Sequence, residues 1–297
     1  GAFKNLATSR YVFLNDNFFP IAFMNFKDGT IVTQLWHAPG ASKKFGASAD
    51  RDSIEILKKI SQNTDYLIVS SRHIVDYYAE AFQMPKDKIM PLGLPRADYY
   101  FEDHDIAGLK SGFFERYGVS GDRKIILYAP TFRDEEKYNN VFDYLDLDKF
   151  NEELGDEYIL ALRLHPKIRD FYSSDISAKG QYIDCSDYPL EQELMLISDI
   201  LITDYSSIMI EFAMLDKPVV FFTYDFDSYM TNERGFYFDF KSTVPGPIVY
   251  DSNQLINTIK NKQFSEDKSS KFVKTQFDEI DGKSSERVVD FLLNYEG

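Results

Sequence analysis

Nine short apolar runs, rich in β-branched and aromatic residues, alternate with segments of helical periodicity along this chain. YVFLND (11–16), TIVTQLWH (30–37), DYLIVSS (65–71) and IMPLGLPR (89–96) form a first group. KIILYAPT (124–131), YILALRLHP (158–166), QYIDCSD (181–187), ISDILITDYSS (197–207) and KPVVFFTYD (217–225) form a second. Runs without polar alternation suit strands buried on both faces, as in parallel sheets. The pieces at 51–62 and 73–83 read as amphipathic helices. Alternating strand and helix predicts an α/β fold with parallel sheets.

With 297 residues and roughly 150 per domain, two domains are expected. The charged segment 101–123 reads as a helix followed by a Gly/Ser turn, and the junction is placed there. The expected domains are 1–112 and 113–297, the second ending in charged helices including SERVVDFLLNYE. The first group holds only about four strands, thin for a complete Rossmann-like domain. One or two opening strands are therefore expected to lie ahead of residue 1.

Charge narrows the partners. A net charge of −15 disfavours nucleic acid, whose phosphates need broad cationic faces. An anionic substrate must then be held by local devices: a few Arg or Lys, helix N-termini and backbone N–H groups. The lone Cys185 excludes an internal disulfide framework and a Cys-rich zinc site, which fits a reducing cytoplasm. No apolar run reaches the ~18–20 residues needed to span a bilayer, and no signal peptide opens the chain.

Ligands of open parallel sheets bind beyond the carboxyl ends of the strands. Those ends here are Trp36-His37, Ser70-Ser71, Pro95-Arg96, Pro130-Thr131, Arg163 to His165, and Asp204 to Ser207. Ser206 and Ser207 precede a predicted helix at 208–215, so their hydroxyls and its free N–H groups form a phosphate cradle. The plainer alternative is a helix N-cap. His37 precedes a tight loop, with Lys43 and Lys44 close behind. It reads either as a general base beside a phosphate-binding loop or as a strand-capping histidine with a solvated lysine pair. Arg163 and His165, two apart on a predicted strand, share a face and suit a pyrophosphate. His73 and His104 are assigned to structure. The Asp-x-Asp pairs at 103–105, 146–148 and 225–227 arise easily by chance among 48 acidic residues. No GxGxxG, Walker A, HExxH or GxSxG motif is present.

Together LWHAPGASKKFG, GLPRADYY, YAPTFRD, LRLHP, SDILITDYSSIMIEFAMLDKPVVFFTYD and RGFYFDF with VPGP resemble the bacterial CDP-glycerol glycerophosphotransferases. These are teichoic acid primases and polymerases, with CDP-ribitol-using relatives. The resemblance covers roughly residues 10–250. It implies a GT-B-like fold: two Rossmann-like domains with parallel sheets facing a central cleft, the second gripping CDP. It implies transfer of a glycerol or ribitol phosphate from a CDP-polyol to a hydroxyl of a lipid-linked or polymeric acceptor, releasing CMP, in teichoic acid or capsule synthesis. It places the protein in the cytoplasm, peripheral on the inner face of the membrane. By the same resemblance His37 is the base for the acceptor hydroxyl, in a loop whose Ala38, Gly40 and Lys43 contact substrate. The family histidine is usually followed by Gly; Ala38 stands there instead, which bears on the loop's backbone contacts and on the acceptor. Arg96 contacts the donor phosphate, Pro130 and Thr131 form the turn near the nucleotide, and Arg163 with His165 forms the second histidine motif. His165 stabilises charge as CMP leaves, Ser206 and Ser207 hold phosphate oxygens, and Glu211 binds the ribose hydroxyls. No cofactor and no metal are implied, the CDP-polyol being a substrate. Two alternatives stand beside this reading: a GT-B transferase using a nucleotide sugar, and a non-catalytic nucleotide-binding module of a larger polypeptide.

Overall fold

The computed structural model describes residues 2–119, 121–165, 182–232 and 235–294. The chain divides into two compact units. The first is Gly1–Glu102 with Arg234–Asp239 and Lys274–Gly297; the second is Asp103–Glu233 with Phe240–Val273.

In the first unit four parallel strands stand in the order β1-β2-β3-β4: Tyr11–Leu14, Ile31–Gln34, Tyr66–Ile68 and Ile89–Met90. Helices Ile54–Gln62 and Val75–Phe82 supply the connections, as the periodicity of 51–62 and 73–83 predicts. Register pairs Leu14 with Gln34, Gln34 with Leu67, and Ile68 with Met90. All four strands run the same way, so their carboxyl ends share one edge.

The second unit is a six-stranded parallel sheet in the order β10-β9-β8-β5-β6-β7. Its strands are β5 Lys124–Tyr128, β6 Tyr158–Leu162, β7 Ile183–Asp184, β8 Ile200–Thr203, β9 Val219–Phe222 and β10 Ile248–Val249. β6, β8 and β9 are buried at every position, which explains their unbroken apolar sequence. The order reverses between β5 and β8, so the ligand crevice of such a sheet belongs beyond these two strands. β10, in the VPGP region, escaped the sequence reading; at two residues it is too short to carry a pattern.

Two expectations need correction. The break at 112/113 falls instead at 102/103, because the helix Ile106–Arg116, capped by Asp105 at the Gly108 N–H (2.9 Å), belongs to the second unit. The chain's end does not stay with the second unit either. The helix Ser284–Leu293 packs Val288 and Leu292 on Tyr66 and Ile68 of the first sheet. Asp98 caps that helix, accepting from the Ser284 and Ser285 N–H groups at 2.9 and 2.6 Å. The Ser70 and Ser71 hydroxyls, at one of the strand ends considered for a ligand, instead bond to the Gln276 carbonyl (2.6 Å) and to Asp278 (3.1 Å).

Candidate active site

The first unit contributes His37. β2 stops at Gln34, and Trp36 turns the chain with φ 60°, a conformation that costs a bulky residue about 1–2 kcal/mol. The half-exposed His37 ring then lies 4.2 Å from the Trp36 ring, centroid to centroid. Its Nδ1 is 3.0 Å from the Asn15 carbonyl oxygen and 3.8 Å from Asp16 Oδ1. A carbonyl only accepts, so Nδ1 carries the hydrogen and the neutral ring keeps a lone pair on Nε2. Arg96 donates from Nη1 to the His37 carbonyl at 3.0 Å, which joins two of the expected site residues.

The loop after His37 is tied at several points. Tyr78 donates its hydroxyl to the carbonyls of Gly40 (2.7 Å) and Ala38 (3.3 Å). Burial drives the Tyr78 phenol far above its ordinary value, so it stays a donor. Ala41 N–H bonds to Gln276 Oε1 at 2.8 Å. Lys43 forms an antiparallel bridge with Phe236, and Lys44 N–H bonds to the Gly235 carbonyl (2.7 Å). Gly40 and Gly46 adopt φ 52° and 53°. A Cβ on Gly46 would come 2.2 Å from the Ala81 carbonyl oxygen, so glycine is required there.

In the second unit the ends of β5, β8 and β9 meet on one side chain that the sequence reading missed. Arg133 is 1 % exposed. Its Nη1 lies 2.8 Å from Asp204 Oδ2, and its Nε and Nη2 lie 2.6 and 3.1 Å from the two oxygens of Asp225. It also donates to the Thr131 carbonyl. Burial opposes the charge, but Asp204 and Asp225 hold the guanidinium above its ordinary value. Tyr205 donates to Asp225 at 3.1 Å and stacks on Tyr229 at 3.6 Å, with Arg133 over both rings. Asp225, dismissed as part of a chance Asp-x-Asp pair, is thus a buried ion-pair partner. The missed signal was a set of charged residues, one at each apolar run's end, in APTFRD, TDYSS and TYD.

Around this cluster lie the expected nucleotide-side residues. Pro130 is buried. Thr131 N–H donates to both Asp204 oxygens (2.9 and 3.0 Å), while its buried Oγ1 has no hydrogen-bond partner among the described residues. Ser206 and Ser207 are half-buried at the start of helix Ile208–Met214. Ser207 makes no side-chain capping bond, and Ser206 Oγ accepts weakly from Ile208 N–H at 3.4 Å, so the N-cap alternative is only partly realised. Glu211 is buried at 2 % exposure inside that helix.

Arg163 and His165 are not on a strand, since β6 ends at Leu162. Arg163 Nη1 bonds the carbonyls of Tyr188 (2.9 Å) and Cys185 (3.4 Å), pinning the segment after β7. His165 is exposed, its ring 5.9 Å from that of Phe132. No cluster of three or more potential metal ligands occurs among the described residues.

The family model for CDP-glycerol:poly(glycerophosphate) glycerophosphotransferases matches residues 2–294. The chain belongs to this family. It is 38% identical over 294 residues to the teichoic acid poly(ribitol-phosphate) polymerase of Bacillus spizizenii, covering 97% of this chain and 47% of that protein. It is 37% identical over 301 residues to the teichoic acid ribitol-phosphate primase of the same organism, covering 98% and 76%. The chain thus spans about half of the first relative and three-quarters of the second. Among solved structures, a histidine variant of the wall teichoic acid polymerase TagF soaked with CDPG aligns at TM-score 0.80 and 30% identity, over 96% of this chain and 71% of that one. The fold of this family member is accordingly α/β and GT-B-like, as its sequence resemblance implies.

Proposed function

We propose that this protein transfers a polyol phosphate, glycerol or ribitol phosphate, from a CDP-polyol to a hydroxyl of a lipid-linked or polymeric acceptor in teichoic acid or capsule synthesis. The observation that carries the reading is a family member's histidine at a strand end, with Nδ1 held on a carbonyl and Nε2 left to accept a proton. In this reading His37 Nε2 takes the acceptor hydroxyl's proton as its oxygen attacks the phosphorus bearing the polyol. The bond from that phosphorus to the bridging oxygen breaks, and CMP leaves with the bond's electron pair. Phosphoryl transfer needs an aligned nucleophile and neutralised charge more than covalent chemistry. His165 serves the departing phosphate, and Thr131 Oγ1, Ser206 and Ser207 supply neutral donors suited to an acidic chain. Arg96 contributes charge to the donor phosphate, and Glu211 serves the ribose. No cofactor enters the scheme. The TagF structure soaked with CDPG supports the choice of donor class. No helix among the described residues is long and apolar enough to cross a membrane, and a peripheral place on the inner face suits a lipid-linked acceptor.

The test is CMP release from CDP-glycerol and CDP-ribitol, with and without a lipid-linked acceptor. His37→Ala and His165→Ala should each abolish turnover while the thermal melt stays intact. Wild-type-like turnover in either variant removes that histidine from the mechanism. Stabilisation by a UDP-sugar without release of CMP would move the protein to nucleotide-sugar chemistry.

A further inference from the structure

We propose that Gln34 is the positioning residue that sets the tautomer and direction of His37. This rests on the reading of His37 as the base. β1 and β2 pair in parallel, with Leu14 opposite Gln34 and the Leu35 N–H on the Leu14 carbonyl at 2.7 Å. Past that point the strands end, and ladder bonds no longer hold Asn15-Asp16 beside Trp36-His37. The Gln34 amide takes over. Its Nε2 donates to the Asp16 carbonyl at 3.0 Å, and its Oε1 accepts from the Trp36 N–H at 2.9 Å. The partners fix the amide's orientation, because a carbonyl must accept and an N–H must donate.

Gln34 is 3 % exposed, at the last position of β2. What an apolar residue could not do is hold two chain ends in register. The bond to Trp36 N–H supports the left-handed turn there (φ 60°), which carries the His37 ring back over the 15–16 loop. The bond to Asp16 keeps that loop where the Asn15 carbonyl meets Nδ1. Trp36 is in turn packed edge-on to Phe82 at 4.9 Å and alongside Phe45 at 5.8 Å, so the platform under the imidazole is anchored in the core. Arg96 holds the His37 carbonyl on another side. Once Nε2 has taken the proton, the Asn15 carbonyl and the Asp16 carboxylate face the imidazolium through Nδ1–H. Gln34 touches no reacting atom and acts entirely through these bonds.

The experiment is long-range proton–nitrogen NMR of the imidazoles in the full chain, His37 being assigned by His37→Ala, together with steady-state kinetics. The wild type should show neutral His37 with hydrogen on Nδ1 and a bare Nε2. Gln34→Met, which removes both bonds, should mix the tautomers and lower kcat about 100-fold, the cost of roughly 1 Å of misplacement. KM for the CDP-polyol should stay within about twofold, because donor binding is untouched. Gln34→Leu also removes both bonds, with a different apolar shape; it should match Gln34→Met, and it decides the matter if Gln34→Met does not fold. Hydrogen on Nε2 in the wild type, or wild-type kcat in either variant, would overturn the proposal. Absence of CMP release by the wild type would instead defeat the transferase reading, and the ring nitrogens would still report on Gln34.

Discussion

The strand ends of the second unit are tied by a dry ionic knot: one guanidinium, two carboxylates and a tyrosine, with Arg133 and Asp204 at 1 % and 0 % exposure. In the first unit the chain around the exposed His37 is tied mainly by neutral groups, the amide of Gln34 and the phenol of Tyr78, with one guanidinium, Arg96, on the His37 carbonyl. The two arrangements answer different demands. A buried ion pair gives fixed geometry but must stay complete, since a lone buried charge is very costly. Neutral hydrogen bonds are each worth about 1 kcal/mol, but they add no net charge beside an imidazole proposed to gain and lose a proton. The lesson is that the strand ends of the second unit are built for rigidity and those around His37 for a chosen electrostatic setting.

The largest expected effect attacks the knot. Arg133→Met should cost about 3–5 kcal/mol, because it strands Asp204 and Asp225 without a counter-charge. Urea unfolding would measure it. Recovery of part of that loss in Arg133→Met with Asp204→Asn and Asp225→Asn would locate the cost in the uncompensated carboxylates. A loss below about 1 kcal/mol in Arg133→Met would break the contrast.

A smaller effect tests the neutral side. Gly46→Ala should cost about 2 kcal/mol or more, combining left-handed backbone with the clash at Ala81. Gly29→Ala, with φ +82° and open space around its Cβ position, should cost only about 1 kcal/mol. Equal thermal shifts in the two would mean that the loop after His37 is softer than its tethers imply.

The smallest effect is pH-dependent. Burial pushes the Asp278 carboxyl up, but hydrogen bonds from the Arg72 N–H, the Arg72 side chain and the Ser71 hydroxyl hold it below its ordinary value. Its contribution is therefore fully present above about pH 4 and is lost as pH falls through the lowered value. Asp278→Asn should remove about 1 kcal/mol at pH 7 and flatten the acid limb of the stability curve. An unchanged limb would show that these bonds add little to the first unit.

Much of the architecture could be read in advance, because buried parallel strands write themselves as continuous apolar runs. The runs from YVFL to VVFF became strands in the expected order, and His37, Thr131 and Ser206 fell just past strand ends, as parallel topology requires, whereas β4 stops at Met90 and Arg96, expected at its end, lies in the short helix Pro95–Phe101. What stayed hidden is non-local. Arg133 reads as a surface residue in TFRD, and its partner Asp225 is 92 residues away. The amphipathic character of 284–293 was legible, but nothing in those residues says which sheet they cover. Gln34 was not singled out within TIVTQLWH, since its task appears only when β1 and β2 are laid side by side. Arg163 and His165 were set on a strand because LRL continues the apolar pattern, yet β6 stops one residue before Arg163.

The Ser284–Leu293 helix carries an implication for how this polypeptide matures. Tyr66 and Ile68 leave the ribosome more than 200 residues before Val288 and Leu292, their eventual cover. Until then one side of the nascent four-stranded sheet lacks this cover. A sheet made early is covered late, and synthesis stalled near residue 280 would release a chain with sticky tyrosine and isoleucine side chains open to chaperones or to aggregation.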